Sequence, residues 1–344
     1  MKLSLVIPVF NEQEVLPLTL KSLRAVLGTM DCNYEIIFVN DGSRDKTLAM
    51  LAEQSRSDEH IKVLSFSRNF GHQAAVTAGL DFAAGDAVIV MDVDLQDPPE
   101  LIPAMVRLYH EGYDVVSPQR VSREGDTWFK RKTARFFYSF MKKMVDERLP
   151  EEVGDFRLLS QAAVSAIRQF REQHRFMRGI VAWLGLREAF LPFERNRRAA
   201  GVTKYPLLKM LKFFWTAVTS FSAMPLRFTM GLGIGACAIA FGYLLYAVIT
   251  AFFDKRVVLG WASIVFLQCF FFGLTLICVG LIGDYIARIY EETKGRPLYV
   301  IDRTFNVPPP EHIPRRIVVE PRQRAVQEPG DYYAAPVSSG RDRA

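Results

Sequence analysis

The stretch Asp92-Val93-Asp94-Leu95-Gln96-Asp97 packs three carboxylates and an amide into six residues. The apolar run Ala87-Val88-Ile89-Val90-Met91 leads into it, and Pro98-Pro99 stops it. The cluster therefore stands at the C-terminal edge of a buried strand, where the chain turns. On an extended chain residues i and i+2 point the same way, so Asp92 and Asp94 can share one ligand. Such hard oxygen donors suit Mg²⁺ or Mn²⁺. Mg²⁺ commonly takes one or two protein carboxylates and completes its shell with water and phosphate oxygens. A D-x-D sequence alone also describes a solvated acidic turn, so its surroundings must decide.

Those surroundings alternate. Periodicity predicts strands over residues 2–9, 34–39, 61–66, 86–91 and 113–117, with helices over 12–27, 47–55, 74–83 and 99–110 between them. Leu16, Leu20, Leu23 and Leu27 mark the buried stripe of the first helix. This order predicts an α/β fold, a mostly parallel sheet with helices on both faces. Ligands of such sheets bind beyond the carboxyl ends of the strands. Those ends carry Pro8-Val9-Phe10-Asn11-Glu12, Asn40-Asp41-Gly42-Ser43, Ser67-Arg68-Asn69 and the Asp92 cluster. So many polar groups on one rim suit a nucleotide-like ligand. Two familiar ways of holding one are missing. No G-x-G-x-x-G follows the first strand, which argues against a dinucleotide oxidoreductase, and no G-x-x-x-x-G-K-[ST] loop occurs, which argues against a P-loop NTPase. A metal on Asp92 and Asp94 would hold the phosphates instead.

The 344 residues are 50% hydrophobic, but unevenly so. Two uncharged runs, Phe228 to Phe253 and Val257 to Gly283, are separated only by Asp254-Lys255-Arg256. Each exceeds the roughly 20 residues a membrane span needs. They predict a transmembrane hairpin, its helices assigned to 228–253 and 257–286, with both ends on one side. Lys204, Lys209, Lys212 and Arg227 precede it and Arg288, Lys294 and Arg296 follow it. Positive charge stays inside, so the N-terminal domain, which opens with no signal-peptide pattern, is expected in the cytoplasm. Lys255 and Arg256 oppose this weakly. The net charge of +6 then suits an anionic membrane surface or phosphates rather than nucleic acid. Cys32, Cys237, Cys269 and Cys278 lack C-x-x-C spacing, and no disulfide framework or zinc site is expected.

Two further stretches are amphipathic. Across 127–145, Phe129, Phe136, Phe140 and Met144 oppose Arg131, Lys132, Arg135, Lys142 and Lys143. The pattern fits a helix in the membrane interface or one packed on the domain surface. Residues 205–225 repeat it, with Lys209 and Lys212 on one face, and lead into the first span. Between them lie Gly154-Asp155-Phe156-Arg157-Leu158-Leu159 and the basic run Arg195 to Tyr205. Placed just before an interfacial helix, that run would stand at headgroup depth. Residues 287–306 are expected as a short ordered extension, with a strand near 297–303, and the Pro-rich residues 307–344 as a disordered tail.

Taken together these stretches resemble the GT-A-fold, family 2 glycosyltransferases that act on polyisoprenyl phosphates, such as bactoprenol glucosyltransferases and dolichol-phosphate mannose synthase. The resemblance rests on Ile7 through Glu12, Val39 through Ser43, Ser67 through His72, Met91 through Pro99, Gly154 through Leu159, Arg198 through Tyr205, and the hairpin. One departure is Val93, where the bacterial members usually have Ala. The resemblance implies a cytoplasmic GT-A domain over 1–204 on a bacterial plasma membrane. It implies Pro8, Glu12, Asp41 and Asp92 at the nucleotide, with Asp41 on the base. Asp92, Asp94 and Gln96 fall at the metal and diphosphate, Mg²⁺ or Mn²⁺ being the cofactor, with Asp94 and Asp155 catalytic. Asp155 would serve as base or as orienter. Arg198, Thr203 and Lys204, helped by Arg120 and Arg131, would clamp the acceptor phosphate. The donor implied is a nucleotide sugar, with UDP favoured, and the acceptor a polyprenyl phosphate. Gly231, Gly233 and Gly235 would let helices of a homo-oligomer approach closely.

Two other readings compete. A processive polysaccharide synthase shares this kind of catalytic domain but usually carries more spans and a Q-x-x-R-W motif, which Gln173-His174-Arg175-Phe176 does not supply. A non-catalytic scaffold binding nucleotide or lipid would not need both the carboxylate cluster and the basic run.

Overall fold

The computed structural model describes residues 1–120, 153–193, 224–253 and 261–307. The expected helix at 127–145, the basic run from Arg195, nearly all of 205–225, the hairpin turn and the tail beyond residue 307 lie outside them. One eight-stranded mixed sheet organises the molecule. Its strands are β1 (Lys2–Val9), β2 (Asn33–Asn40), β3 (Ile61–Phe66), β4 (Ala87–Val90), β5 (Val115–Arg120), β6 (Arg157–Ser160), β7 (Glu188–Phe193) and β8 (Ile301–Phe305). They lie in the order β7-β5-β6-β4-β1-β2-β3-β8. The central four are parallel, β6 runs antiparallel to β4 and β5, and β8 runs antiparallel to β3.

Helices cover both faces, as the alternation requires. On one face α1 (Leu16–Leu27), α2 (Thr47–Ser57) and α4 (Ile102–His110) bury Leu16, Leu20, Leu23, Leu51, Ile102 and Met105 against Leu3, Leu5 and Ile7 of β1. On the other, α3 (His72–Phe82), α5 (Gln161–Ile167) and α6 (Met177–Leu184) bury Val76, Leu80, Val164 and Ile180 against Val6, Ile37 and Val39. Alternate residues of β1 thus serve opposite cores. Gly79 lets α3 press onto β1, since a Cβ there would stand 2.1 Å from Val6 Cγ1.

Several boundaries differ from the periodicity, each for a tertiary reason. The first helix starts at Leu16 rather than Glu12, because Asn11, Glu12 and Gln13 donate their N–H groups to Ser43, Thr47 and Asp45 of the neighbouring loop. The acidic strand ends at Val90, and residues 93–94 form a turn, so the extended-chain premise for Asp92 and Asp94 does not hold. Strand β5 extends past Ser117 because β7, which the periodicity does not reveal, pairs with it as far as Arg120.

Two long helices follow, α7 (Met224–Phe253) and α8 (Trp261–Thr293). Among the described residues only Phe270–Thr293 is long and apolar enough to cross a membrane; α7 contributes the shorter apolar run Gly231–Tyr243. Helix α8 runs on past Gly283, and its polar end docks on the α/β domain. His174 Nε2 pairs with Glu291 Oε2 at 2.6 Å, Gln173 N donates to Glu292 Oε1 at 2.7 Å, and Gln173 Nε2 donates to Arg296 O at 2.6 Å. The chain then returns to the sheet as β8. Tyr299, buried against Phe66, donates to Asp81 Oδ2 at 2.7 Å, while Arg171 grips both oxygens of Asp81 at 2.8 and 2.9 Å.

At the opposite end of the sheet from the strand carboxyl ends, Glu35 is 2% exposed and fully engaged. It accepts from Ser4 Oγ at 2.5 Å, Lys62 Nζ at 2.6 Å and Ala84 N at 2.8 Å, with Lys2 Nζ at 2.7 Å. Burial alone would raise its pKa, but these donors outweigh burial and hold it at about 2. An unfolded glutamate titrates near about 4.3. The contribution of Glu35 to stability is therefore complete above about pH 5 and is lost as pH falls through the folded value. Glu35→Gln should lower stability at neutral pH and flatten the loss of stability between about pH 5 and pH 2, as denaturant titrations across that range will read.

Candidate active site

The sheet reverses its winding between β1 and β4, since β2 and β3 lie on one side of β1 and β4 on the other. Such a switch point opens a crevice beyond the carboxyl ends of the strands. Pro8 lies buried at the crevice end of β1. Val6 O accepts from Met91 N, the last rung shared with β4, and Val9 O accepts from Asp41 N on the β2 side. Alternation then turns the ring nitrogen of Pro8 past the end of β4, where no ladder bond is lost.

The loops after β1 and β2 are zipped together. Asn11 adopts φ 55°, a left-handed conformation asparagine tolerates, and Arg44 N donates to its Oδ1 at 2.8 Å. The backbone N–H of Glu12 is held by Thr47 Oγ1 at 3.0 Å. Asp41 is 4% exposed. Its carboxylate accepts from Phe70 N at 2.6 Å and Gly71 N at 2.9 Å, tying the β2 loop to the start of α3. Burial pushes its pKa up, against the pull of those two N–H groups. Gly42 makes the contact possible: its φ is +67°, and a Cβ there would stand 2.5 Å from the Arg68 carbonyl carbon.

The acidic loop is anchored through its apolar residue. Val93 is buried, and its carbonyl accepts from Thr19 Oγ1 of α1 at 2.6 Å. Asp92 and Asp94 flank that anchor. Asp92 Oδ1 meets His72 Nε2 at 2.9 Å, and Asp94 Oδ1 accepts from Gln96 N at 3.1 Å. Leu95 between them takes φ 56°. A left-handed conformation costs a non-glycine residue roughly 1–2 kcal/mol, so the surrounding contacts hold this turn under strain. Buried Asp97 faces Arg120, whose Nη2 lies 3.8 Å from Asp97 Oδ1. Arg120 in turn packs on Gly154, where an added Cβ would stand 2.9 Å from Nη2.

Asp155 reaches the same rim by another route. β6 runs antiparallel to β4 with Arg157 opposite Val90, so the residues just before β6 lie where β4 ends. Arg178 Nε donates to Asp155 Oδ1 at 2.8 Å, Gln73 Nε2 reaches Oδ2 at 3.5 Å, and His72 Nδ1 lies 3.9 Å from Oδ2. Burial would raise the pKa of Asp155, but the charges of Arg178 and His72 and the Arg178 hydrogen bond bring it down to about 2. His72 is pulled down by burial, yet its bond to Asp92 and the two carboxylate charges leave it raised overall. Residue type and spacing alone do not mark His72, Gln73, Arg178 or Arg157 as site residues. His72 closes the Ser67–His72 motif, whereas nothing local marks Arg178, which follows Asp155 only across a strand and a helix.

A divalent metal fits the donor chemistry of the acidic loop. Asp92 and Asp94 offer carboxylate oxygens, and Gln96 Oε1 is buried without a hydrogen-bond partner among the described residues. Hard oxygen donors of this kind suit Mg²⁺ or Mn²⁺. Among the described residues no group of three His, Cys, Asp or Glu side chains is already gathered as a metal cage. Arg131, Arg198, Thr203 and Lys204 lie outside the described residues, so of the expected phosphate clamp only Arg120 is seen.

Residues 4–168 match the family described as Glycosyl transferase family 2. An uncharacterized glycosyltransferase of Bacillus subtilis, YkcC, is 42% identical over 88% of this chain and 94% of its own length. A prophage bactoprenol glucosyl transferase homolog of Escherichia coli is 40% identical over 88% of this chain and 99% of its own length. The bactoprenol glucosyl transferase of Shigella phage SfII is 40% identical over 88% and 98%.

The chain belongs to glycosyl transferase family 2. It is a glycosyltransferase with a GT-A-like α/β domain. The non-catalytic scaffold reading falls with this assignment.

Asp41 spends a carboxylate oxygen on each of two backbone donors, which an amide cannot match because its NH₂ would face an N–H. Asp41→Asn should destabilise the loop by about 1–3 kcal/mol and weaken nucleotide binding. Denaturant midpoints and nucleotide titration calorimetry on the same variant will read both effects.

Proposed function

We propose that the protein is a membrane-bound, inverting transferase that moves a hexose from a nucleotide sugar to a polyprenyl phosphate. The observation that carries this reading is the segment 171–178. Its Gln173 and His174 hold the polar end of the apolar helix α8, and its Arg178 holds Asp155 at the rim. A lipid-borne acceptor beside α8 is thereby brought close to the carboxylates. The names of the relatives favour glucose as the sugar and bactoprenol phosphate as the acceptor, and UDP is the favoured carrier.

The rim supplies the parts such a reaction needs. Pro8, Glu12 and Asp41 form the floor for the nucleoside. Asp92, Asp94 and Gln96 would hold Mg²⁺ or Mn²⁺, which when bound offsets the charge of the departing diphosphate. Arg120, Arg131, Arg198, Thr203 and Lys204 would clamp the acceptor phosphate. Fixed cations are worth most where charge develops in a water-poor site. Holding donor and acceptor at one rim makes the encounter effectively intramolecular. The acceptor oxygen attacks the anomeric carbon from the face opposite the diphosphate, so an α-linked donor yields a β-linked product.

In this reading α7 and α8 form a two-span hairpin in a bacterial plasma membrane. The α/β domain lies in the cytoplasm. Gly231, Gly233 and Gly235 would serve contacts between copies.

The test is a transfer assay on purified protein in detergent with undecaprenyl phosphate, Mn²⁺ and a panel of UDP- and GDP-sugars, read by mass spectrometry. One glycolipid product is expected, abolished by EDTA and reduced at least about 10²-fold by Asp94→Ala. Full turnover by Asp94→Ala would remove the metal role. A ladder of polymer products would replace the single-transfer reading with that of a processive synthase.

A further inference from the structure

Helix α6 buries nearly everything it carries except its largest side chain. Met177, Gly179, Ile180, Val181 and Ala182 lie in the core, yet Trp183 is 60% exposed. Its ring meets that of Phe170 edge-on, with centroids 5.3 Å apart and planes at 77°. Phe170 is partly buried and packs on the core, so the pair forms a firmly seated apolar ridge. Phe170 also opens the segment that holds α8. Gln173, three residues on, is at most about 11 Å of chain away. It donates to Glu292 and Arg296, and His174 meets Glu291. The exposed apolar surface of α8 runs up to that contact through Ile286, Ile289 and Tyr290. There Lys294 Nζ lies 3.9 Å from the centre of the Tyr290 ring. A tyrosine and a snorkelling lysine at the end of an apolar helix mark the level where a bilayer gives way to water. The Trp183–Phe170 ridge stands beside that level.

We propose that Trp183, backed by Phe170, anchors the α/β domain on the phospholipid bilayer that α8 enters, its ring lying between headgroups and acyl chains. This rests on the reading of α8 as a membrane span. Tryptophan suits that depth, because its body is apolar while its indole N–H keeps a polar partner. Exposed Arg171, next to Phe170, and exposed Lys294 and Arg296 surround the ridge with cations for headgroup phosphates. The acids nearby are already engaged: His174 and Gln173 hold Glu291 and Glu292, and Glu172 faces the charge of Arg175. The anchor gives the domain a second fixed point. The docking of Gln173 and His174 on α8 alone leaves the domain free to tilt about the helix end. A second contact through Trp183 fixes that tilt. Arg178, one helical turn and a residue before Trp183, ties Asp155 to the same short helix. The rim is thereby held at a constant height above the bilayer.

The experiment reads tryptophan fluorescence of the full-length protein in nanodiscs of phosphatidylcholine and phosphatidylglycerol, with lipids brominated either near the headgroup or near the chain end. The contribution of Trp183 is the difference between the wild type and Trp183→Phe. A second protein, with Trp128, Trp215 and Trp261 replaced by Phe, keeps Trp183 itself native and gives the same reading directly. Melting temperatures show that each variant is folded. Trp183 emission should lie at short wavelength and be lost to bromine near the headgroup, and less so to bromine at the chain end. Aqueous iodide should quench it weakly. Long-wavelength emission that iodide quenches and bromine does not overturns the anchor. Short-wavelength emission untouched by either quencher also overturns it, and assigns the ridge to a protein partner, a second copy or another segment of this chain. Trp261, at the start of α8, separates the two readings through the difference made by Trp261→Phe. Bromine quenching of Trp261 without Trp183 removes the anchor and leaves the span, whereas quenching of neither removes the span reading itself.

Discussion

The site depends on the antiparallel seating of β6 against β4. Because β6 runs backwards, Arg157 faces Val90 and Asp155 falls beside the point where the chain leaves β4 for Asp92. A parallel strand in that place would carry Asp155 to the far end of the sheet, more than about 10 Å away at roughly 3.3 Å per residue. One reversed strand in an otherwise parallel centre thus converts two separate acidic turns into one rim.

Helix α3 is the second organiser. Its first two residues, His72 and Gln73, stand between Asp92 and Asp155. Its far end carries Asp81, clamped by Arg171 and Tyr299. Gly79 seats the helix directly on Val6. With both ends and the middle fixed, the side chains at its start have little freedom to wander. This is the preorganisation that a site working by fixed charges requires.

The same clamp joins the apolar helices to the sheet. After α8 the chain does not trail away. Tyr299 enters the core beside Phe66, and β8 adds an antiparallel edge to β3. The contacts from Arg171 to Arg178 therefore reach Asp81, the end of α8 and Asp155 in a single short segment. Tyr299 and β8 are thereby part of the α/β body.

Local pattern alone carried much of this. The alternation of apolar strands and striped helices specified a sheet with helices on both faces, because burial period depends on near neighbours only. The loops after β1, β2 and β4 could be picked out as polar strand ends, and the acidic loop with its Asp92 and Asp94 was legible as a metal-type donor set. What local pattern could not contain was every relation made across the sheet. Short strands β6 and β7 lack a period long enough to read, and their direction is set by pairing partners distant in the chain. The partners of Asp155 come from α3 and α6, more than twenty residues away on either side, so neither the lowered pKa of Asp155 nor the place of Arg178 could be inferred before folding. Residue types determined which chemistry was available at the rim; tertiary structure decided which carboxylate is held by which cation, because that choice is made by packing between elements and not by spacing along the chain.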